Sequence, residues 1–377
     1  MLFGCNPVAP SPSLQPVNTV IPIPTLTPES IQTITPTSIP YLNAISFKFL
    51  AVNAITPIDS TIYVGNTDYW IVGDQGFIVH RLGLGYPLYV DSPAGRRNLY
   101  DVDFVSPNVG WIVGEDELIL HWNGEEWEIS KPSTHDSGWP YSYNLYDVAF
   151  TEENDGWAAG CVDSEGGEYF LVYHWDGVTW SEVSLSEERD LWACARDIVT
   201  LSATDVWMTG TGSDMGKEYG VTMHWNGIRW ERFADLNSYN IHSMRASSAD
   251  NIWAITRYGI VLNWNGIEWS EKAQLDFTGL ENAPVIFARK LDDIFVAGNK
   301  IYHWDGSTWM EISLNSNIPA DMNIVDIVEG EVSEGGNPFI YMLDSSGIIY
   351  AFAKENFRWS DSYKFNNGTA HVEQGRK

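Results

Sequence analysis

The sequence predicts an all-β fold, a seven-bladed β-propeller of four-stranded antiparallel blades, preceded by a disordered Pro/Thr-rich segment. A heptapeptide recurs about every 40 to 50 residues, as HWNGEEW (121–127), HWDGVTW (174–180), HWNGIRW (224–230), NWNGIEW (263–269) and HWDGSTW (303–309). A second signature stands upstream of it, as YWIVG (69–73), GWIVG (110–114), GWAAG (156–160), VWMTG (206–210), IWAIT (252–256) and IFVAG (294–298). Short β-rich stretches alternate throughout with Gly, Asn and Asp.

Each repeat supplies four strands, labelled A to D from the axis outward. Strand A is a short run such as LYDVDF (99–104), LYDVAF (145–150), RDIVT (196–200) or IVDIV (324–328). Strand B carries the second signature, and strand C runs into the heptapeptide. The Asp-Gly or Asn-Gly pair then sits where C turns tightly into D, because these residues tolerate positive φ. Two worn copies, HRLGLGY (80–86) and YAFAKENFRW (350–359), extend the series to seven units. The propeller is expected over residues 41–366, with a polar C-terminal tail at 367–377.

Residues 1–40 have a different composition. They hold nine of the eighteen prolines, one acidic residue (Glu29) and no basic residue. Such a segment buries too little apolar surface to offset its ordering entropy, and its prolines favour extended conformations, so it reads as a linker. Leu2, Gly4 and Cys5 precede it in an arrangement similar to a bacterial lipobox. That resemblance implies lipid attachment at Cys5, an extracytoplasmic head on a stalk, and contact with a bacterial membrane through the anchor only.

The string WIVGEDELILHWNGEEW and the repeated DGxTW resemble the bacterial propeller repeats grouped as BNR/Asp-box, YVTN and photosystem II assembly-factor-like proteins. The resemblance covers about residues 55–360. It implies the fold and not a photosystem role, because those assembly factors use basic patches and this chain is acidic.

Charge narrows the partners. Fifty Asp and Glu against 21 Lys and Arg give a formal net charge of -29, and nucleic-acid affinity rests on Lys and Arg displacing counterions. Nucleic acid is therefore not expected as a partner. No apolar run reaches the roughly 18 residues of a membrane span. A monomeric head that binds a protein, peptide or glycan in the cell envelope is the expectation.

Repeated residues read first as scaffold. His80, His121, His174, His224 and His303 share one strand C position, and the strand B and D tryptophans recur in the same way. Asp101, Asp147 and Asp197 each stand ten residues before their strand B Trp, and Asp326 aligns with them. Two readings fit these carboxylates: hydrogen bonding at the start of strand A, or a hard cation such as calcium at the channel mouth. No other cofactor is expected.

Insertions mark one face. From the strand B Gly to the strand C His the chain advances seven positions in blades 1 and 2 but fourteen in blades 3 and 4. The connection between blades 2 and 3 is long as well. Loops of both kinds emerge on one side of an antiparallel blade, which gathers His135, Trp139, Tyr141, Tyr143, Asp163, Glu165, Glu168, Trp192, Asp214, Lys217 and Tyr219 as candidate ligand-binding residues. Rings beside carboxylates suit a glycan or a peptide; they also suit a small core within the loops. Cys161 and Cys194 fall near this face on adjacent blades, either as a disulfide or as two separate thiols.

The alternative is a sialidase-like or other glycoside hydrolase. Its carboxylate-binding arginines would be Arg196, Arg245 and Arg289, which stand eleven, eight and six residues before their strand B aromatic. Those unequal depths keep them apart. No HExxH, GxSxG, phosphate loop or paired CxxC is present, so no catalytic residue is assigned.

Overall fold

The structure, a computed structural model, describes residues 49–55, 68–81, 88–131, 141–165, 167–185, 192–214, 217–233, 236, 239–279, 283–312, 322–332, 338–345, 348–353, 358–366 and 369–373. Cys5, the linker at 1–40, His135 and Trp139 lie outside the described residues. All described residues belong to the compact unit Ala44–Lys377.

Seven antiparallel sheets follow one another along the chain, each built from consecutive strands. Blade 1 comprises Phe49–Ile55, Asp68–Gly73, Phe77–Arg81 and Leu88–Tyr89. Blade 2 comprises Leu99–Ser106, Val109–Gly114, Ile119–Trp122 and Trp127–Lys131. In blade 3 the strands are Ser142–Glu152, Asp155–Ser164, Gly167–Trp175 and Trp180–Glu182. Blade 4 has Ala193–Ser202, Asp205–Asp214, Lys217–Trp225 and Trp230–Arg232. Blade 5 has Ile241–Ser248, Asn251–Thr256, Ile260–Trp264 and Trp269–Gln274. Blade 6 has Val285–Lys290, Asp293–Ala297, Ile301–Trp304 and Trp309–Glu311. Blade 7 begins with Ile324–Val332, Pro338–Asp344 and Ile348–Ala353, then adds Arg358–Asn366 and a fifth strand, Thr369–Glu373.

That fifth strand corrects the tail expected at 367–377. Asn366 pairs with Thr369 and Ser362 with Glu373, so backbone groups on the outer edge of Arg358–Asn366 are satisfied by the chain itself. Each strand A packs beside the next one, and Ile324–Val332 returns to Phe49–Ile55. The ring thus closes by packing of inner strands, with no blade shared between the two ends of the described chain.

The heptapeptide explains why a blade forms and why it joins its neighbour. Asp176 accepts backbone N–H groups of Val178 (2.9 Å) and Thr179 (2.8 Å), and Gly177 takes φ +89°. A Cβ on Gly177 would also approach Asn154 at 2.9 Å, so both backbone angle and space require glycine. The turn brings Trp175 opposite Trp180 across strands C and D.

Such a pair clamps the strand B Trp of the preceding blade. Trp70 meets Trp122 at 4.9 Å and Trp127 edge-on at 5.4 Å. Trp157 meets Trp225 at 5.2 Å and Trp230 at 5.3 Å. Trp207 lies against Trp264 and Trp269, and Trp253 against Trp304 and Trp309, in the same way. In blade 2 Trp111 meets Trp175 at 6.5 Å and stacks on Phe150 at 3.6 Å, which in turn meets Trp180 edge-on.

The repeated histidines close the blade polar network. Nε2 of His174, His224 and His303 bonds Asp155, Asp205 and Asp293 at 2.8, 2.8 and 2.7 Å. Blade 5 replaces both partners together, with Asn263 donating to Asn251 at 2.9 Å. Blade 2 has Val109 at the aspartate position, and burial pushes the His121 pKa down. We predict that Trp157→Ala, which empties a fully buried site between two blades, lowers stability by about 3 to 5 kcal/mol in urea unfolding.

Candidate functional site

Two regions gather chemistry: the central channel, and the face raised by blades 3 and 4. The four aligned aspartates share one register position, with Asp101, Asp147, Asp197 and Asp326 opposite Val113, Ala159, Thr209 and Leu343. Three reach across to the next blade. Asp101 accepts from Val148 N (2.9 Å), Asp147 from Ile198 N (2.6 Å) and Asp197 from Met244 N (3.1 Å). Ser243 continues the series weakly, accepting from Ile286 N at 3.4 Å. Asp326 accepts from Ile327 N of its own strand at 2.8 Å.

Each of the bonds from Asp101, Asp147 and Asp197 joins strand A of one blade to strand A of the next. The cation facing them is Arg245, whose Nη1 donates to Asp197 Oδ2 (3.1 Å) and Met244 O (2.7 Å). Burial works against its charge, but Asp197, then Asp326, Asp147 and Asp101, more than offset that and raise its pKa. Among the described residues, one group of His, Cys, Asp or Glu ligand atoms lies within 4.8 Å of one another, and it is Cys161, Glu168 and Cys194 rather than the aspartates.

Asp103 adds a carboxylate that the repeat alignment passed over. It lies two residues beyond Asp101 on the same face of strand A and accepts from Phe150 N at 2.9 Å. A cavity of about 620 Å³ is lined by Asp101, Asp103, Asp147, Arg245, Asp326 and Glu329. Burial and then the Asp101 charge push Asp103 up to about 6, and burial with Asp101 and Asp197 raises Asp147 well above the usual range.

The channel mouth adds Tyr100, Tyr146 and His242 to the residues named from the sequence. Strand A bulges at Tyr100, Tyr146, Arg196 and His242, each just before the aligned position. Tyr100 packs on Tyr146 at 4.9 Å, and the Arg196 guanidinium lies 5.3 Å from the Tyr146 ring centre. Burial, then Arg196 and Arg257, push His242 down to about 4. The LYD, LYD, RD and IHS strings contained this series, but a bulge has no period from which to predict it.

The three arginines do not converge. Arg196 bonds Thr211 Oγ1 (3.2 Å) and faces Glu168 (3.8 Å) at the mouth. Arg245 lies deeper, opposite Trp253, while Arg289 pairs with Asp293 near the far end of strand A. Each has its own carboxylate.

On the raised face the inserted residues are strand, not loop. In blade 3 strands B and C pair out to Ser164 and Gly167, and strand A follows them from Ser142 opposite Asp163. In blade 4 pairing reaches Asp214 and Lys217. The insertions lengthen because their alternating residues keep satisfying the backbone ladder. Cys161 and Cys194 form a disulfide that ties strand B of blade 3 to strand A of blade 4.

Trp192, two residues before Cys194, is 47% exposed and lies between both hairpins. Its ring is 6.1 Å from Tyr169, and its carbonyl accepts from Tyr219 Oη at 2.8 Å. Gly167 has φ +126°, and a Cβ there would lie 2.7 Å from the Trp192 ring. Tyr141, 49% exposed, packs at 6.4 Å on Tyr143. Asp163, Glu165 and Lys217 are exposed, while Glu168 is half-buried beside Arg196. The expected patch is thus two groups: Tyr141, just before strand A of blade 3, with Tyr143 on that strand, and Trp192 with Tyr169, Tyr219 and Glu168 between blades 3 and 4.

Solved structures with this architecture are numerous. YCF48 bound to a D1 peptide is similar with a TM-score of 0.56 at 18% identity, over 84% of this chain and 100% of that one. YCF48 from Cyanidioschyzon merolae is similar with a TM-score of 0.55 at 14% identity, over 82% and 97%. The WD40 β-propeller domain of Doa1 has a TM-score of 0.53 at 12% identity, over 84% and 96%. No protein-family profile matches the chain, and no curated protein matches it. Identities this low establish the β-propeller fold alone.

Two outcomes test these sites. Asp103 is raised from 3.8 to about 6 on folding, so the stability it contributes is present below about 4 and lost as pH rises through about 6. His242, lowered from 6.5 to about 4, contributes stability above about 6.5 that is lost as pH falls through about 4. Relative to the parent, Asp103→Asn should therefore gain Tm as pH rises from 4 to 7, and His242→Gln should gain Tm as pH falls from 7 to 4. Separately, the Cys161→Ser/Cys194→Ser pair should cost about 2 to 4 kcal/mol, with amide exchange accelerating first in the blade 3 hairpin.

Proposed function

We propose that this chain is a non-catalytic propeller scaffold that binds a protein or peptide through the face raised by blades 3 and 4. The observation that carries this reading is Trp192, half-exposed yet held by Tyr169, Tyr219, Gly167 and the neighbouring disulfide. A fixed aromatic ring loses little entropy when a partner covers it, and its area dominates the contact, so such residues anchor interfaces.

The propeller supplies rigidity, and the lengthened hairpins supply shape. Separation of Arg196, Arg245 and Arg289 argues against carboxylate recognition of the sialidase type. Anchoring through Cys5 and the Pro/Thr-rich linker would place this face in the extracytoplasmic space of a bacterial envelope. A partner in that space is the corresponding reading.

The test is capture from the source envelope by the full chain and by Trp192→Ala, with a glycan array run in parallel. A protein partner retained by the parent and weakened at least about tenfold by Trp192→Ala supports the proposal. Equal capture by both chains removes the face assignment. Trp192-dependent glycan binding without a protein partner replaces the ligand class, and turnover of a sialoside or other glycoside overturns the non-enzyme reading.

A further inference from the structure

We infer that the segment docking on this face is basic: a Lys or Arg side chain of the partner lies over Trp192 with its charge toward the blade 3 hairpin tip. The inference rests on the proposed binding face and names the chemistry of its partner.

The tip reads DSEGGE, residues 163 to 168, and places three carboxylates within one turn and its flanking pair. Asp163 and Glu168 are opposite one another across the strands, and Glu165 stands in the turn between them. Gly167 from the same tip abuts the Trp192 ring. An exposed indole therefore stands against the backbone of the acidic tip. Arg196 is already engaged by Thr211 and the Tyr146 ring, and Glu168 lies 3.8 Å from it. Asp163 and Glu165 remain exposed.

This arrangement suits a cation on a flexible aliphatic stem. The stem covers the indole, the charged group meets the negative face of the ring, and the carboxylates complete its environment. An acidic segment would meet like charge both here and across a chain whose net charge is -29. On the blade 4 hairpin Lys217 stands opposite Asp214 and next to Glu218, whereas the blade 3 tip carries three carboxylates and no cation, so the cation should lie toward blade 3.

Three labelled peptides test this, identical in apolar residues and carrying four Lys, four Gln or four Glu. Fluorescence anisotropy with the full chain reads their affinities at low and physiological salt. The Lys peptide should bind at least about tenfold more tightly than either other peptide, with Trp192→Ala removing about tenfold. Asp163→Asn/Glu165→Gln/Glu168→Gln should weaken it similarly and flatten its salt dependence. Neutralising Glu125, Glu126 and Glu128, on the outer hairpin of blade 2, should leave it unchanged.

If that control weakens binding as much as the tip variant, or the Lys peptide fails to bind below about 1 mM, the inference is overturned. If the Gln or Glu peptide binds as well and still depends on Trp192, the face stands and the basic partner does not. Lys-peptide binding that ignores both Trp192 and the tip removes both.

Discussion

Insertion of a strand B tryptophan between the two tryptophans of the next blade is the contact on which the rest of this ring depends. A four-stranded sheet presents two faces to be covered, and here each face is covered by another copy of the same sheet. Trp157 is fully buried in this way between Trp225 and Trp230. Removal of so large an apolar surface from water outweighs what any single hydrogen bond in the blade contributes. The histidine and aspartate pairs then fix how strands B and C sit, because a buried imidazole needs a partner.

A second series of interactions lines the axis, and it works differently. Asp101, Asp147 and Asp197 accept amides from the following blade, so the inner strands are joined by hydrogen bonds while the outer strands are joined by indoles. The arrangement concentrates negative charge in a narrow channel. Arg245 relieves part of it, and burial raises Asp103 and Asp147 for the rest. The channel is thus a place where carboxylates that serve the scaffold also set its response to pH.

Against this regular background, blades 3 and 4 depart. Their B and C strands continue past the length of the other blades, a disulfide binds one to the other, and Trp192 is left half-exposed between them. Residues that repeat around the ring are occupied with holding it together. Residues found once, such as Trp192 and the DSEGGE tip, are those with surface left over for a partner.

Much of the fold was legible because it is periodic. The heptapeptide set seven units, phased the strands and placed the insertions on one face, and the unequal depths of Arg196, Arg245 and Arg289 showed that they would stay apart. The replacement of His and Asp by Asn263 and Asn251 could also have been read as a pair. The candidate site was legible only as a neighbourhood. Nothing in the spacing distinguished a loop from the longer hairpin that the inserted residues form, since both use the same residue types. His135 and Trp139 are outside the described residues, and Tyr141 and Tyr143 form a group of their own.

The sequence by itself determined the number of blades, their order and the chemistry of their joints, because each of these is a local pattern repeated along the chain. Only the tertiary structure decided that Asp101 bonds the amide of the next blade, that strand A bulges at Tyr100, Tyr146, Arg196 and His242, and that Trp192 rests on Gly167. Those are contacts between residues far apart in sequence, and their partners are chosen by the geometry of the closed ring and not by spacing.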